Sequence, residues 1–407
     1  MSEIKPCVVG LGKLGLPLAA VIADAGFYTI GIDKNISHVK NLIEGKFSSP
    51  EPELNQLLDG NKSNLEFTTD FYLARECNIY FLIVPTPSNA DGNYDNQFLI
   101  KVITELLYSW DDSSCEKTLV IVSTVMPGTC KDVFMPIVDN HLVKNRSKLK
   151  IHLLYSPEFI ALGSVVYNLR NPDVTLIGCD GPSSANVLLD ILERITCGKP
   201  ETQILSLTEA EVVKLMVNCF VTMKISFANF IGEICEVLPG TDKYKISKAL
   251  GMDTRIGGKY LRPGLGFAGP CFPRDNTALI AFARKEGLKA SLGLATDEIN
   301  HRQPMNVFNR IKKEYPHVKK IVIMGVTYKP HTPVFEQSQT LLIADLFINN
   351  GFEVRLYDSL LSKKDLPQFE FLNSIDEITD SDFVLISKEF EFLISNLHNK
   401  IKNLLVI

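Results

Sequence analysis

Three glycines near the N-terminus constrain the fold more than any other feature of the sequence. Gly10, Gly12 and Gly15 have the spacing GxGxxG, follow the apolar run CVVG and open a helical stretch. In such a strand–turn–helix the first glycine permits a tight turn, and the second lets the backbone approach a pyrophosphate. The third glycine lets the helix pack closely on the strand. The pattern predicts the first unit of a doubly wound α/β domain.

An acidic residue ends the next predicted strand, YTIGID. Asp33 is placed to accept hydrogen bonds from an adenosine ribose, and its charge repels a 2′-phosphate. The N–H groups and dipole at the start of the helix favour the phosphates. The sequence therefore predicts NAD rather than NADP, although the neighbouring Lys34 weakens that preference. A glycine-rich turn without a ligand is the alternative.

Apolar runs alternate with amphipathic stretches through the first 200 residues. Because each run is continuously apolar, we expect a parallel sheet that is covered on both faces. The predicted strands are CVVG, YTIGID, NIYFLIVP, TLVIVST, IHLLYSPE and VTLIGC. A later set, KKIVIMGVTYKP, FEVRLYDS and SDFVLIS, predicts a second and smaller Rossmann-like domain.

The region between the two sets of strands is helical. Residues 211–238 contain no proline, and no glycine before Gly232, and Thr208 with Glu211 predicts a capping box at the start. A helix of this length suits a connector or a dimer core. The predicted fold class is α/β, with two Rossmann-like doubly wound domains joined by a long central helix and a helical dimerisation region. The predicted domains span residues 1–200, 201–303 and 304–407.

Composition excludes several other classes of protein. The 407 residues carry a net charge of −5, which argues against a general nucleic-acid binder. Nine cysteines without CxxC spacing and seven scattered histidines predict no disulfide framework and no metal, and they favour a reducing cytoplasm. No stretch is expected to reach the length of a transmembrane helix, and the N-terminus lacks a signal-peptide pattern.

A polar stripe crosses the predicted central helix. Lys214, Asn218 and Thr222 follow one another at steps of four and share one helix face. A lysine on a buried face is costly unless it meets a carboxylate or a ligand, and it can then take part in proton transfer. The alternative is that Lys214 extends to solvent or makes a structural pair.

The segment GLGFAGPCFPRDN places a lone cysteine in a rigid loop. Cys271 stands between Pro270 and Phe272, and no part of residues 264–276 shows a helical or strand period. A cysteine is most often a small buried apolar residue. Rigid placement next to Arg274 and Asp275 suits a nucleophile better.

Eight segments together resemble the UDP-glucose/GDP-mannose dehydrogenases, which are nucleotide-sugar 6-dehydrogenases. They are GLGKLGLPLA, VPTP, STVMPGT, SPEFIALGS, KLMVNCF, RIGGKYL, GFAGPCFPRD and GVTYKP, in the family's order over nearly the whole chain. The resemblance implies an NAD domain, a nucleotide-sugar domain and a central helix that builds a homodimer. It also implies oxidation of a sugar C6 alcohol to a carboxylate with two NAD⁺, with UDP-glucose as the first choice and a cell-surface polysaccharide as the destination.

The resemblance assigns the chemistry to a few side chains. Cys271 would attack the C6 aldehyde as a thiolate, and the thiohemiacetal would then be oxidised to a thioester that water hydrolyses. Lys214 and Asn218 would stabilise the C6 oxyanion, with Lys214 also a candidate base. Asp275 would hold the reacting water with help from Thr124. Glu158 would transfer protons during hydrolysis.

The resemblance also implies two sets of binding residues. The expected NAD contacts are Gly10, Leu11, Gly12, Leu14, Gly15, Asp33, Val84, Pro85, Thr86, Thr124 and Arg274. The expected substrate contacts are Glu158, Phe159, Ile160, Lys214, Asn218, Arg255, Tyr260, Arg262, Gly264, Gly266, Phe267 and Lys329. Arg255 resembles an arginine that reaches the sugar from the partner subunit, so activity would require the dimer.

The chain departs from the family pattern at three places. Leu162 stands where many members have an acid, and Phe335 in FEQS stands where many have an arginine near the cofactor. The aspartate-glycine-arginine segment that often follows the last strand does not follow NLLVI. These changes touch the edges of the cofactor and nucleotide sites.

Other functions stay open at this point. Within the family the substrate could be a UDP-N-acetylhexosamine or GDP-mannose. A two-electron β-hydroxyacid dehydrogenase shares the Rossmann domain and the helix lysine and asparagine, but it needs neither Cys271 nor GVTYKP. A non-catalytic NAD-binding scaffold is a third possibility, and the joint presence of Lys214, Asn218, Cys271 and Asp275 argues against it.

Overall fold

The computed structural model describes residues 3–110, 116–394 and 403–407. The chain forms two compact units, Met1–Met216 and Val217–Ile407. The division into three domains at residues 200 and 303 stays a prediction.

A mixed sheet organises the first unit. Its described strands are β1 (Pro6–Val9), β2 (Thr29–Ile32), β3 (Leu65–Thr68), β4 (Ile79–Leu82), β5 (Lys117–Ile121), β6 (Ile151–Tyr155), β7 (Val174–Gly178) and β8 (Glu201–Leu205). Their order is β3-β2-β1-β4-β5-β6-β7-β8, and β1 to β6 run parallel. The Rossmann-like fold is thereby confirmed.

One strand pair contradicts the expected parallel sheet. Strands β6 and β7 meet in antiparallel register at Tyr155 and Gly178. The connection between them contains one short helix, Val165–Arg170, whereas a parallel pair needs a long crossover, usually through a full helix. The strand after this reversal, β8, then pairs parallel to β7.

Helices cover both faces of this sheet. They are α1 (Gly15–Asp24), α2 (Ile36–Ile43), α3 (Leu54–Gly60), α4 (Gln97–Ser109), α5 (Met135–Asn145), α6 (Val165–Arg170) and α7 (Asn186–Ile195). Successive residues of the strands enter different cores: Val8 and Phe81 belong to one, and Cys7, Val9 and Tyr80 belong to the other. Apolar residues at every position of β1 and β4 thus follow from burial on both sides.

The second unit contains a smaller parallel sheet. Its described strands are β9 (Lys320–Met324), β10 (Glu353–Tyr357), β11 (Glu370–Phe371), β12 (Phe383–Ile386) and β13 (Leu404–Val406), in the order β11-β10-β9-β12-β13. The further α-helices of the described residues are α8 (Leu207–Val237), α9 (Lys243–Gly251), α10 (Phe272–Lys285), α11 (Ser291–Glu314) and α12 (Gln339–Asn349). The second Rossmann-like sheet and the long helix are confirmed.

Three of the described strands were not predicted from the sequence, and each lies at the edge of its sheet. Strand β3 ends one side of the first sheet, and β8 ends the other with four of its five residues exposed. Strand β11 ends the second sheet and has two residues. An edge strand buries little surface, so its sequence lacks the continuous apolar run of a central strand.

The capping box of α8 differs from the predicted one. Ser206, not Thr208, is the cap: its N–H and hydroxyl donate to Oε2 of Glu209 at 2.9 and 2.6 Å. Glu211 has another task, because its carboxylate accepts the N–H groups of Gly128 and Cys130 at 2.6 and 2.7 Å. The prediction was wrong by two residues because Ser206 and Glu209 repeat the same spacing.

Helix α8 also corrects the expectation about transmembrane length. Within the described residues it is the helix that is long and apolar enough to cross a membrane, with a mean hydropathy of 1.4 over 18 residues, of which 44% are buried. A core helix of a globular protein passes the same test. Its polar stripe faces inward, because Lys214 and Thr222 are buried while Val217 and Phe220 are exposed.

The described residues contain neither a disulfide nor a cluster of side chains that could bind a metal. Eight cysteines of the described residues are in no disulfide, and Cys115 lies outside the described residues. No group of three or more His, Cys, Asp or Glu side chains is placed to hold a metal within the described residues. The absence of a catalytic metal stays a prediction.

Candidate active site

In the turn after β1, the three glycines of GxGxxG differ in the space that a side chain would have. Gly10 has φ +97°, and a Cβ there would lie 2.1 Å from the carbonyl oxygen of Ile83. A Cβ on Gly15 would lie 1.8 Å from the carbonyl oxygen of Gly10. Nothing lies within 4 Å of a Cβ on Gly12. The first and third glycines are therefore required by packing, and the second leaves an open approach to backbone, as a pyrophosphate requires.

Asp33 has a structural task that the sequence analysis missed. Its carboxylate accepts the N–H groups of Leu11 at 2.8 Å and Asn35 at 2.9 Å. In the second sheet Asp358, directly after β10, accepts those of Val326 and Leu360, both at 2.8 Å. The same geometry occurs in both sheets. Asp33, after β2, fixes the turn that follows β1, and Asp358, after β10, fixes the turn that follows β9. Each carboxylate oxygen of Asp33 keeps a lone pair for a ribose hydroxyl.

The loops after β4 and β5 are tied to each other beside this turn. The hydroxyl of the buried Thr86 donates to the carbonyl oxygen of Thr124 at 2.8 Å. Ser123 Oγ accepts the N–H of Val84 at 3.0 Å, while Pro85 is exposed. The predicted cofactor residues of these two loops therefore form one rigid edge. Leu11 is buried, and Leu14 precedes α1 as its cap residue.

Lys214 and Glu158 come together in the first unit. The Lys214 ammonium donates to the carbonyl oxygen of Glu158 at 2.6 Å and lies 4.8 Å from the ring centroid of Phe159. Lys214 is 8% exposed, so it does not extend to solvent. Burial raises the pKa of the Glu158 carboxyl to about 7, against the opposing effect of Lys214. A carboxyl with this pKa can both hold and release a proton near neutral pH.

A carboxylate from a distant loop fixes the segment that follows Glu158. Glu51 accepts the N–H groups of Gly163 at 3.0 Å and Val165 at 2.5 Å. Ile160 and Leu162 pack against an apolar core of the first unit. Leu162 is thus accommodated by packing, and the acid of the family pattern has no counterpart at that position.

The structure places Cys271 at the start of a helix, not inside an irregular loop. Cys271 is the cap residue of α10, which begins at Phe272 and has Pro273 in its first turn. The sequence predicts no helix within residues 264–276, because the prolines conceal the first turn. The thiol is exposed. A helix N-terminus favours a thiolate, so the position suits a nucleophile better than a packing role.

Asp275 lies one turn after Cys271 and is 1% exposed. Oδ2 of Asp275 accepts a hydrogen bond from the Asn218 side-chain amide at 2.6 Å. Oδ1 lies 3.4 Å from Nε of Arg274, and the backbone oxygen of Asp275 accepts from the Cys219 thiol at 3.4 Å. Asn218 and Asp275 therefore meet in the second unit, a contact that was not predicted, and their catalytic roles stay predictions.

Two asparagines that the sequence analysis missed hold the loop before Cys271. Asn229 accepts the N–H of Gly264 at 2.9 Å. Asn300 bonds both backbone groups of Phe267, at 2.7 and 3.1 Å. A Cβ on Gly266 would lie 2.2 Å from Oδ1 of Asn300, so packing within the protein requires that glycine. Asn229 continues the buried polar face of α8 seven residues after Thr222, and that spacing was the available signal.

The remaining predicted substrate residues lie in the second unit. Arg262 is exposed, lines a cavity of about 390 Å³ and lies 5.4 Å from the ring centroid of Tyr244. Tyr260 has φ +61°, an uncommon conformation for a non-glycine residue. Arg255 is paired with Asp253 at 2.6 Å and is largely exposed. These positions leave the predicted partner contact of Arg255 untested.

Two further predicted residues follow β9. The Lys329 ammonium lies 6.0 Å from the ring centroid of Tyr328. Phe335 packs against the core of the second sheet. Since its ring is directed into a core, Phe335 contributes to packing there.

The glycine turn at the carboxyl end of β1 and the strand order around it define a Rossmann dinucleotide-binding protein. Two family models match the chain: the NAD binding domain of the UDP-glucose/GDP-mannose dehydrogenase family over residues 4–196, and its central domain over residues 208–302. The chain belongs to this family of NAD-dependent nucleotide-sugar dehydrogenases. The predicted family and the predicted NAD cofactor are thereby confirmed.

The relatives carry different substrate names. A putative UDP-glucose 6-dehydrogenase of Bacillus subtilis (strain 168) is 31% identical over 399 residues, covering 96% of this chain and 90% of the relative. A UDP-N-acetyl-D-mannosamine dehydrogenase of Methanocaldococcus jannaschii is 29% identical over 415 residues, covering 98% and 91%. A UDP-glucose dehydrogenase structure from Pyrobaculum islandicum has a TM-score of 0.84 and 27% identity, covering 94% of this chain and 89% of that chain.

Proposed function

We propose that this protein oxidises the C6 hydroxymethyl group of a nucleotide sugar to a carboxylate in two steps through a thioester on Cys271. UDP-glucose is the first choice of substrate. The observation that carries the proposal is the exposed Cys271 thiol at the start of α10, one helical turn before the buried Asp275. A single oxidation of an alcohol needs no nucleophile, so a thiol in this position favours the four-electron reaction.

The first unit would hold NAD. The open space over Gly12, the N-terminus of α1 and the carboxylate of Asp33 fit a pyrophosphate and a ribose. Bound there, NAD would supply the hydride acceptor for each of the two oxidations. Thr86 and Val84 would complete the edge against which the cofactor is oriented.

Cys271 carries the covalent steps. Its thiolate adds to the C6 aldehyde, forming a C–S bond and a thiohemiacetal oxyanion. Loss of a hydride from that carbon gives the thioester. Water then adds to the thioester carbon, the C–S bond breaks, and the thiolate and the carboxylate product are released. Lys214 and Asn218 would stabilise the negative oxygen of each intermediate.

Glu158 and Asp275 would manage the protons. A pKa of about 7 lets the Glu158 carboxyl take a proton from water and return it to a leaving group. Asp275, fixed by Asn218 at 2.6 Å, would orient the water together with Thr124. The ammonium of Lys214 is a candidate base only after it loses its proton, whereas its charged form stabilises an oxyanion.

The assembly proposed for this function is a homodimer through α8. An apolar stripe of exposed residues on α8 supports it: Val217, Phe220, Phe227, Phe230, Ile234 and Val237. Their spacing of three, four and seven residues places them on one side of the helix. A second copy of the chain would cover this stripe, and Arg255 of that copy would contact the sugar.

The three predicted domains, 1–200, 201–303 and 304–407, would carry NAD, the dimer contact with Cys271, and the nucleotide. Arg262, Lys329 and the backbone near Gly264 would hold the nucleotide diphosphate. The protein would act in the cytoplasm, where its thiols stay reduced, and would supply a sugar acid for a cell-surface polysaccharide.

Two measurements test the proposal. The wild type should form two NADH for each UDP-glucose oxidised, and one NADH for each sugar would support the two-electron alternative instead. Cys271→Ser should lose net turnover, with a trapped ester or a slow partial oxidation. Full activity of Cys271→Ser would sink the thioester mechanism. The control is Cys197→Ser, which removes another exposed thiol.

The sugar itself is tested by a panel. UDP-glucose, UDP-N-acetylhexosamines and GDP-mannose are compared by the rate of NADH formation at equal concentration. We expect the highest kcat/KM with UDP-glucose. A higher value with an N-acetylated sugar or GDP-mannose would reassign the substrate and leave the Cys271 chemistry intact.

A further inference from the structure

The histidine in the first turn of α2 reaches back to the glycine turn that follows β1. Nε2 of His38 lies 2.9 Å from the carbonyl oxygen of Leu11. A carbonyl oxygen only accepts hydrogen bonds, so His38 donates from Nε2 and carries a proton on that nitrogen. The side chain is half-buried, and its ring meets the ring of Phe47 edge to face at a centroid distance of 5.3 Å. These two contacts fix the direction of the imidazole.

A series of hydrogen bonds connects His38 with the carboxylate of Asp33. Asp33 accepts the N–H of Asn35 at 2.9 Å, and the side chain of Asn35, which caps α2, accepts the N–H of His38 at 3.0 Å. Asp33 also accepts the N–H of Leu11 at 2.8 Å. Both backbone polar groups of Leu11 are therefore bonded to side chains, the N–H to Asp33 and the carbonyl to His38. Leu11 is 1% exposed, so water has little access to replace either bond.

The bond from His38 determines where the next N–H group points. The carbonyl of Leu11 and the N–H of Gly12 belong to one planar trans peptide group, in which the two point in opposite directions. With the carbonyl directed at His38, the N–H of Gly12 is directed away from that side chain. No atom lies within 4 Å of a Cβ on Gly12, so a ligand can approach the backbone at this residue.

We propose that His38 is a positioning residue for NAD: by holding the Leu11 carbonyl, it aims the N–H of Gly12 at the pyrophosphate. The inference rests on the proposed placement of the pyrophosphate over Gly12, and it does not depend on the chemistry of Cys271. An N–H group that is already oriented binds a phosphate oxygen without further loss of backbone freedom. Since His38 acts through the backbone, its effect is confined to ligands that contain the pyrophosphate.

The test separates the hydrogen-bond donor of His38 from the volume of its side chain. His38→Leu removes the donor, and His38→Gln keeps one, because the amide nitrogen of glutamine can take the place of Nε2. Binding of NADH is followed by its fluorescence, without nucleotide sugar. We expect His38→Leu to raise the Kd by about three- to tenfold and His38→Gln to stay within about twofold of the wild type. The control is His141→Leu, which changes another half-buried histidine with an edge-to-face aromatic contact and should leave the Kd unchanged.

Adenosine, which lacks the pyrophosphate, is the second probe. Its Kd, obtained from competition with NADH, should be the same for the wild type and His38→Leu. An equal loss of affinity for adenosine and NADH would show that His38 contacts the adenosine directly and would overturn the proposal. The proposal also fails if His38→Leu binds NADH as tightly as the wild type, or if His38→Gln binds it as weakly as His38→Leu.

Gly12→Ala distinguishes a failure of this inference from a failure of the proposed NAD site. If Gly12→Ala weakens the binding of NADH and His38→Leu does not, the site stands and the role of His38 alone is rejected. Normal binding of NADH by Gly12→Ala removes the pyrophosphate from Gly12, and the role of His38 with it. Should His38→Leu not fold, His38→Ala is compared in the same way, because it also lacks a donor.

Discussion

The side-chain amide of Asn218 donates to the carboxylate of Asp275 at 2.6 Å, and this bond joins α8 to the first turn of α10. Asp275 is almost fully buried, so loss of the Asn218 donor removes a hydrogen bond from a carboxylate oxygen that water cannot readily reach. The hydrogen bond connects the polar face of α8, which was predicted from residue spacing, with the segment 264–276, which was predicted to be a rigid loop.

Asn218→Asp places two carboxylates at the distance of a hydrogen bond. We expect a loss of about 3 kcal/mol or more in the free energy of unfolding at pH 8, with partial recovery in acid as the pair takes up one proton. Urea unfolding at pH 5 and pH 8 measures the difference. Asn350→Asp, on an exposed asparagine after α12, should show no such dependence. Equal losses at the two pH values would contradict the repulsion.

The raised pKa of Glu158 predicts that this residue lowers the free energy of unfolding as pH rises, which is opposite to the usual effect of a carboxylate. Its pKa is raised from 4.5 to about 7, so the folded state holds a proton that the unfolded state releases between those values. The cost is absent below pH 4.5 and grows to about 3 kcal/mol above pH 7, at 1.36 kcal/mol for each pKa unit. Glu158→Gln should therefore gain stability over the wild type as pH rises from 5 to 8.

The control for this prediction is Glu193→Gln, on an exposed face of α7. Thermal unfolding of both variants is compared at pH 5, 6.5 and 8. A constant difference between Glu158→Gln and the wild type would show that the carboxyl has no raised pKa. Loss of activity in Glu158→Gln near neutral pH is expected separately, because the amide transfers no proton.

Gly12 and Gly10 should respond differently to the same substitution. Gly12→Ala adds a Cβ in open space, so stability should change by less than about 1 kcal/mol while the affinity for NAD falls at least about tenfold. Gly10→Ala should cost about 3 kcal/mol or more, because of its positive φ and the contact with Ile83. Calorimetric titration with NAD⁺ and thermal unfolding supply the two readouts. Unchanged NAD affinity in Gly12→Ala would place the pyrophosphate elsewhere.

The apolar stripe on α8 predicts an assembly. Phe220→Glu combined with Phe227→Glu should convert a dimer to a monomer, since each exposed ring is replaced by a charge that a buried interface disfavours. Light scattering after size-exclusion chromatography measures the mass. Val143→Glu, which changes another exposed apolar residue, should leave the mass unaltered. A wild-type monomer at micromolar concentration would refute the proposed dimer.

The cap of α8 offers a test of local structure alone. Glu209→Ala should destabilise by about 1 kcal/mol, because it removes both hydrogen bonds to Ser206. Thr208→Ala should cost less, since Ser206 is the cap. Chemical unfolding of the two variants ranks them, and the reverse order would restore the box predicted from Thr208 and Glu211.

The sequence by itself determined the two Rossmann-like sheets, the long helix, the glycine turn and the family. Central strands buried on two faces must be continuously apolar, and the order of eight motifs is too specific for chance. Edge strands such as β8 stayed hidden because they bury little. The reversal of β7 against β6 also stayed hidden, since strand direction depends on the path of the connection.

Only the tertiary structure decided which groups meet. Sequence spacing places Lys214 and Asn218 on one helix face. Only the tertiary fold shows that Lys214 donates to the Glu158 carbonyl oxygen and Asn218 to the Asp275 carboxylate. The raised pKa of Glu158 likewise follows from desolvation that no local pattern encodes. Cys271 is the clearest example. The glycines and prolines around it predict a rigid loop, whereas in the folded chain Cys271 is the cap residue of α10.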